Sequence, residues 1–113
     1  MQLDILIPCF NEEEVLNEIH LRVKKILEEV KGKKLIDSYN IIYVDDGSND
    51  GTFEILEKIS QKDQSVKALS FSRNFGHQAA LSAGLKFSRG DAVISLDEIT
   101  NYGKFNENFA IYI

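Results

Sequence analysis

The chain alternates short apolar runs with longer stretches of helical spacing, and this alternation limits its possible folds more than any other feature. The apolar runs, which predict buried strands, are residues 3–9, 39–44, 66–71 and 92–96. The stretches between them begin near Val15, Thr52 and Gln78 and repeat their apolar residues at helical intervals. Continuously apolar strands separated by helices favour an α/β fold, in which a mostly parallel sheet carries helices on both faces.

The first helical stretch has recognisable boundaries. Asn11 is predicted to cap this helix at its start, and Gly32 is predicted to end it. The apolar stripe expected to face the sheet comprises Val15, Ile19, Val23, Ile26, Leu27 and Val30. His20 stands among many charged residues of this helix and is predicted to be solvated surface.

Composition argues against several classes of protein. The 113 residues carry a formal net charge of −5 with a pI near 5.0, which argues against nucleic acid as a partner. A bound phosphate would then need a metal ion, a helix N-terminus or backbone N–H groups to offset its charge. The single cysteine, Cys9, rules out an internal disulfide and is predicted to be a buried, unreactive thiol. The sequence contains no signal-peptide pattern and no apolar run of about 20 residues, so the predicted location is cytoplasmic, with peripheral membrane contact as an open alternative.

Polar residues collect where the predicted strands end. They are Asn11 and Glu12 after the first strand, Asp45 and Asp46 after the second, Arg73, Asn74 and His77 after the third, and Asp97 after the fourth. Ligands of open parallel sheets bind beyond the carboxyl ends of the strands. The arrangement therefore predicts a binding site at that edge.

The residue types alone do not decide the role of each polar side chain at this edge. One of Asp45 and Asp46 is expected to form a turn or cap, and a carboxylate here also suits hydrogen bonds from a base or a ribose. Arg73 is expected either to contact a phosphate or to form an ion pair with an aspartate. His77 is more often a cap or a packed loop residue than a catalyst.

A calcium-binding loop is a competing interpretation of the second polar segment. The spacing of an EF-hand loop is matched by Asp46, Ser48, Asp50, Gly51, Thr52, Phe53 and Glu57. An EF-hand needs a helix before this loop, whereas residues 39–44 have a strand pattern. The sequence also lacks the GxGxxG, GxxxxGK[ST] and GxSxG motifs, which argues against dinucleotide oxidoreductases, P-loop enzymes and α/β hydrolases.

Four motifs together resemble family 2 glycosyltransferases. They are PCFNEE at 8–13, VDDGSNDGT at 44–52, SRNFGHQAALSAGL at 72–85 and GDAVISLD at 90–97. The subgroup they resemble is the polyprenyl-phosphate sugar transferases, which use dolichol or undecaprenyl phosphate. The resemblance implies a Rossmann-like nucleotide-binding fold of the GT-A type. It also implies a nucleotide-sugar donor, commonly a UDP-sugar, that binds with Mg²⁺ or Mn²⁺.

The resemblance assigns roles by motif position. The nucleotide pocket is expected to be lined by Pro8, Phe10, Asn11, Glu12 and Arg73. Val44 and Asp46 are expected to contact the base and the ribose. Asp97 matches the first aspartate of the family's metal-binding motif, so it is the expected metal ligand.

The motif match stops after Asp97. Ile99 stands where the family has its second metal-binding aspartate, and residues 98–113 do not resemble the acceptor half of the family. The expected division is therefore a donor-binding domain at 1–97 and a divergent tail at 98–113, whose run 109–113 forms either an edge strand or a frayed end. The expectation is a truncated, impaired transferase whose acceptor, by resemblance, is a polyprenyl phosphate at a membrane surface. The alternative is a non-catalytic remnant or partner-binding domain.

Overall fold

The structure, a computed structural model, describes residues 1–96 and 109–112. In chain order, its elements are β1 (Gln2–Cys9), α1 (Leu16–Gly32), β2 (Ser38–Asp45), α2 (Thr52–Lys62), β3 (Val66–Ser70), α3 (His77–Phe87), β4 (Ala92–Leu96) and β5 (Phe109–Tyr112). Each predicted strand and helix is present, with boundaries shifted by a residue or two except at the start of α1. The predicted α/β class is confirmed.

The strands form one sheet in the order β3-β2-β1-β4-β5. The first four strands are mutually parallel, and β5 pairs with β4 in the antiparallel sense. In register, Cys9 lies opposite Asp45, and Asp45 lies opposite Ser70. The carboxyl ends of β1, β2 and β3 therefore lie level with one another at one edge of the sheet.

Alternate residues of each central strand face two separate cores. On one face, Ile5 and Ile7 pack with residues of α1 and α2, including Ile19 and Leu56. On the other face, Leu6, Ile42 and Val44 pack with Ala80 of α3. Gly84 lets α3 approach closely, because a Cβ atom there would collide with Leu6. The prediction of helices on both faces is confirmed.

Three predictions about α1 are wrong. The helix starts at Leu16, and no side chain caps it. Asn11 instead adopts a positive φ of 53° well before the helix. Ile26 is 56% exposed, so it lies outside the stripe that faces the sheet. His20 is buried, and its Nδ1 lies 2.8 Å from the hydroxyl of Tyr43.

A buried carboxylate on β1 holds the turn that precedes β4. Asp4 of β1 is 1% exposed and accepts hydrogen bonds from the Ser88 hydroxyl and from the N–H groups of Arg89 and Gly90. Burial alone would raise the pKa of Asp4, but the hydrogen bonds outweigh burial and lower it. Asp4 therefore anchors the turn between α3 and β4 at the amino end of the sheet, away from the polar loops.

The tail is described only at β5, whose backbone pairing confirms the edge-strand interpretation of residues 109–112. The expected metal ligand Asp97 and residues 98–108 lie outside the described residues, so the boundary at 97 stays a prediction. No helix in the described ranges is both long and apolar enough to span a bilayer.

Candidate functional site

Three loops meet at the carboxyl edge of the sheet. The first loop (10–15) follows β1, the second loop (46–51) follows β2, and the third loop (71–76) follows β3. Strand β1 pairs with β2 on one side and with β4 on the other, so the chain reverses its direction of strand addition at β1. In open α/β sheets, ligands bind in the crevice at such a reversal.

The first and second loops are interlocked by reciprocal hydrogen bonds. The Asn11 N–H donates to the Ser48 hydroxyl at 2.9 Å, and the Asn11 side-chain carbonyl accepts from the Asn49 N–H at 2.9 Å. The Gly51 N–H donates to the Glu13 carboxylate at 2.8 Å. Asn11 therefore joins the loops to each other instead of capping α1.

Three backbone donors of the first loop are already used within the protein. The N–H groups of Asn11, Glu12 and Glu13 donate to side chains of Ser48, Thr52 and Asp50, respectively. They are not available to cradle a phosphate, as backbone N–H groups do in other nucleotide-binding loops. Any diphosphate bound beside this loop must have its charge offset by another group.

Asp50 holds the second loop against the start of α2. Its Oδ1 accepts from both the N–H and the hydroxyl of Thr52, at 2.9 and 2.5 Å. Burial would raise the pKa of Asp50, but these bonds keep its pKa below the usual value. Asp50 is therefore an anionic, structural residue at neutral pH.

The adjacent carboxylates Asp45 and Asp46 have different partners. Asp45 accepts from the N–H and the hydroxyl of Ser48, at 3.2 and 2.5 Å, and so forms the local turn. Asp46 accepts from the N–H groups of Phe75 and Gly76, at 2.9 and 3.2 Å. The sequence predicted that one of the pair forms a turn, and that residue is Asp45. Asp46 instead links the second loop to the third.

Gly47 lets these two loops touch. Its φ is +70°, and a Cβ atom at this position would collide with the backbone of Arg73 and Asn74. A side chain would be strained by the backbone conformation and obstructed by backbone atoms. The contact therefore depends on glycine.

Arg73 and Phe75 form a stacked pair on the third loop. The guanidinium carbon of Arg73 lies 4.7 Å from the centre of the Phe75 ring. Phe71 contacts the same ring edge to face, with 5.6 Å between ring centres. Within the described ranges, no carboxylate lies within ion-pair distance of Arg73, so the ion-pair alternative for Arg73 is not supported there.

The remaining predicted residues lie at the ends of β1 and β2. Pro8 and Val44 are buried and lie opposite each other in the sheet. Phe10 is 39% exposed just beyond β1, whereas Glu12 is 9% exposed. A cleft of about 250 Å³ opens beside the first loop. Its lining comprises Asn11, Glu12, Glu13, Glu14, Val15 and Asp50. This acidic lining attracts cations and disfavours a bare phosphate.

The calcium interpretation fails on this geometry. The segment before Asp46 is strand β2, where an EF-hand requires a helix. Asp46 accepts from the backbone of Phe75 and Gly76, whereas Asp50 accepts from Thr52, so the two carboxylates have separate partners. Within residues 1–96 and 109–112, no group of three or more His, Cys, Asp or Glu side chains is placed to hold a metal ion.

Sequence reasoning missed Phe75, Gly47 and Ser48, which hold the loops together. The signals were present in the DDGS and NFG segments, since glycines with positive φ occur where loops approach closely. The predicted burial of Cys9 is confirmed, and this burial raises the pKa of its thiol.

Sequence comparison identifies relatives over most of the chain. The profile of Glycosyl transferase family 2 matches residues 4–98. The uncharacterized glycosyltransferase YkcC of Bacillus subtilis is 39% identical over 97 residues, which are 86% of this chain and 28% of YkcC. The prophage bactoprenol glucosyl transferase homolog of Escherichia coli K12 is 38% identical over 97 residues, which are 86% of this chain and 30% of the relative. The chain thus spans less than a third of the length of these curated relatives.

Structure comparison finds the same fold in solved proteins. S. aureus TarS 1-349 in complex with UDP-GlcNAc aligns with a TM-score of 0.66 and 24% identity over 85% of this chain and 26% of TarS. The mannosyltransferase PcManGT of Pyrobaculum calidifontis, in complex with GDP-Man and Mn²⁺, aligns with a TM-score of 0.61 and 20% identity over 81% of this chain and 26% of PcManGT. These alignments confirm the predicted GT-A type of fold.

Proposed function

Since the chain belongs to glycosyl transferase family 2, we propose that the edge formed by its three loops binds a nucleoside-diphosphate sugar as a glycosyl donor. The observation that carries this proposal is the convergence of Asn11, Asp46 and Arg73. These residues come from three separate loops and are joined through Ser48, Gly47 and Phe75. The first loop borders the reversal of strand order at β1, and open α/β folds bind ligands at such a reversal.

The nucleobase is assigned to the second and third loops. The Arg73 guanidinium offers only hydrogen-bond donors, and the Asp46 carboxylate offers only acceptors. Together they suit a base edge that presents a carbonyl beside a ring N–H, as uracil does. Asp46 keeps accepting capacity beyond its bonds to Phe75 and Gly76, because each carboxylate oxygen can accept more than one bond. We assign Val44, Pro8 and Phe10 to the same pocket, because they lie at or just beyond the ends of β1 and β2 beside Asp46.

A divalent cation, Mg²⁺ or Mn²⁺, fits the diphosphate position. The N–H groups of Asn11, Glu12 and Glu13 are used internally, and the adjacent cleft is acidic, so a diphosphate needs a cation there. Asp97 follows Leu96 in the sequence, and β4 lies beside β1; we assign the cation to Asp97. A bound cation would stabilise the charge that develops on the departing diphosphate.

The acceptor proposed is a polyprenyl phosphate, because relatives of this chain include a bactoprenol glucosyl transferase homolog. In the transfer, a phosphate oxygen of the acceptor bonds to the anomeric carbon of the sugar. The bond from that carbon to the diphosphate breaks, and its electron pair leaves with the nucleoside diphosphate. This step requires contact with a membrane surface, since the acceptor is a lipid.

A thermal-shift titration tests donor binding. UDP and UDP-glucose are added to the 113-residue chain with Mn²⁺ and then with EDTA. A ligand that binds only the folded state stabilises it by about 2.7 kcal/mol at a hundredfold excess over Kd. We expect a rise in melting temperature with Mn²⁺ that EDTA abolishes. The absence of any shift at saturating UDP and Mn²⁺ would overturn the proposal.

Variants separate the assigned roles. Asp46→Asn is expected to weaken UDP binding, and Asp97→Asn is expected to abolish its dependence on Mn²⁺. Asp37→Asn is a matched control, because Asp37 is exposed and pairs with the N-terminal amine. Equal UDP affinity in Asp46→Asn and the control would remove Asp46 from the site.

A further inference from the structure

We propose that Phe75 is a positioning residue for nucleotide recognition: its ring holds the Arg73 guanidinium in place, and the Asp46 carboxylate holds Phe75. This inference rests on the proposed donor site and adds a residue to it. It concerns the part of the donor that the third loop recognises, which is the nucleobase and not the diphosphate.

The side-chain geometry supports a platform under Arg73. The guanidinium carbon stands 4.7 Å from the ring centre of Phe75, within the range of a cation–π contact. Phe71 braces the Phe75 ring edge to face. Phe71 itself packs against the second core, which includes Val44 of β2. The stack is thus continuous from the sheet to the guanidinium.

Backbone contacts also hold the segment that carries the Phe75 ring. Asp46 accepts from two successive N–H groups, those of Phe75 and Gly76, and so fixes the segment that carries the ring. Gly76 has a φ of +98° and precedes α3, so the direction of the chain into α3 is set there. Gly47 packs against the backbone of Arg73 from the second loop.

The exposure of the pair indicates a recognition role. Phe75 is 51% exposed, and its aromatic ring contributes little to the core. Within the described residues, the partner of the Arg73 guanidinium is this ring and no carboxylate. A long cationic side chain loses rotamer freedom when it binds a ligand. Holding it on a ring beforehand reduces that cost and leaves its N–H donors directed at the ligand.

The test compares three substitutions at position 75 by calorimetry with UDP–Mn²⁺ and with pyrophosphate–Mn²⁺ as separate probes. Phe75→Ala and Phe75→Leu remove the aromatic face, whereas Phe75→Tyr keeps it. We expect UDP affinity to fall roughly twofold to fivefold in the Ala and Leu variants, the size of an exposed cation–π contact. Phe75→Tyr should retain the affinity of the unaltered chain. Pyrophosphate affinity should be the same in all variants.

The test includes a control variant, and three results would contradict the inference. Phe87→Ala removes another exposed phenylalanine, at the far end of α3, and should leave both affinities unchanged. Unaltered UDP affinity in Phe75→Leu would overturn this inference while leaving the donor site standing. An equal loss for UDP and pyrophosphate would also overturn it, since that loss indicates a structural role. If the unaltered chain binds pyrophosphate but not UDP, or neither ligand, the proposed function fails together with the inference.

Discussion

Two single residues, one in a loop and one in the interior, have large expected effects on stability. Gly47 combines a positive φ with a backbone contact that leaves no room for a side chain. His20 is the second of these residues. It places a titratable ring in the interior against Tyr43 of β2, so stability is expected to depend on pH. Each residue leads to its own prediction about stability.

Gly47→Ala is expected to lower the free energy of unfolding by roughly 2 to 4 kcal/mol, from backbone strain and overpacking against Arg73 and Asn74. It should weaken UDP binding as well, since the second and third loops must move apart. Urea denaturation and calorimetry measure the two effects. Gly32→Ala is the matched control, because no atom lies within 4 Å of its added Cβ, and its stability should be equal or slightly higher.

Stability is expected to fall between pH 7.5 and pH 5.5 because of His20. Burial lowers the pKa of His20, and Lys24 lowers it further, against the opposing effect of Asp63. The unfolded chain, whose histidines titrate near about 6.5, therefore binds more protons in this range than the folded chain does. The stabilisation is fully present above the unfolded pKa and is lost as the pH falls towards the folded pKa.

Urea denaturation at several pH values measures this loss. His20→Gln should flatten the pH dependence in this range, whereas His77→Gln, which alters the other histidine, should keep it. An equally steep dependence in His20→Gln would assign the effect to other groups. Titration of Asp63 does not contribute to this pH dependence. Its pKa, about 2, lies far below this range despite the opposing effect of burial.

At the scale of elements, a structural anchor and the candidate site lie at opposite ends of the central strands. Asp4 anchors the turn between α3 and β4 at the amino end of β1, while the three loops occupy its carboxyl end. A substitution at Asp4 therefore separates stability from ligand affinity.

Asp4→Ala is expected to cost roughly 2 to 4 kcal/mol, because the Ser88 hydroxyl and two backbone N–H groups lose their buried acceptor. Asp4→Asn keeps one acceptor oxygen and should cost about half as much. UDP affinity, measured where each variant is still folded, should stay unchanged. A selective loss of UDP affinity would show that the two edges are coupled.

The elements were more predictable than their junctions. Period and composition predict the strands and helices because burial imposes those patterns over several residues at once. The start of α1 was missed because Asn11 has a typical capping side chain, yet its partner, Asn49, comes from another loop. The burial of His20 was missed for the same reason, since Tyr43 and Asp63 approach from distant parts of the chain.

The candidate site was predictable in location and less so in detail. Parallel strand topology brings Asn11, Asp46 and Arg73 to one edge, as the sequence predicts. That Asp45 forms the turn and Asp46 reaches the third loop depends on which way each side chain leaves the end of β2. Hydrophobic period and residue type do not distinguish the two carboxylates, and only the family resemblance singles out Asp46.

At the scale of the whole molecule, the two cores share the same strands. Leu6 and Ile7 are adjacent in β1, fully buried, and face opposite cores. Neither core can be lost without exposing one face of the central strands, so the described part of the chain is expected to unfold as a single cooperative unit.

Ile19→Ala in the first core and Leu6→Ala in the second should each cost about 2 to 5 kcal/mol. In both variants, transitions followed by far-UV circular dichroism and by tyrosine fluorescence should coincide. Leu21→Ala, a control at a side chain that is 70% exposed, should change stability by less than about 0.5 kcal/mol. Separate transitions in either core variant would show that the two faces unfold independently.

The interlocking of the first and second loops has a kinetic consequence. Their hydrogen bonds, from Asn11 to Ser48 and from Asn49 to Asn11, use protein groups alone, so little of this surface should need to become ordered when the proposed donor binds. Association should then be a single step whose observed rate rises linearly with nucleotide concentration, without the plateau that a slow rearrangement imposes. Differences in affinity among donors would consequently arise mainly from their residence times.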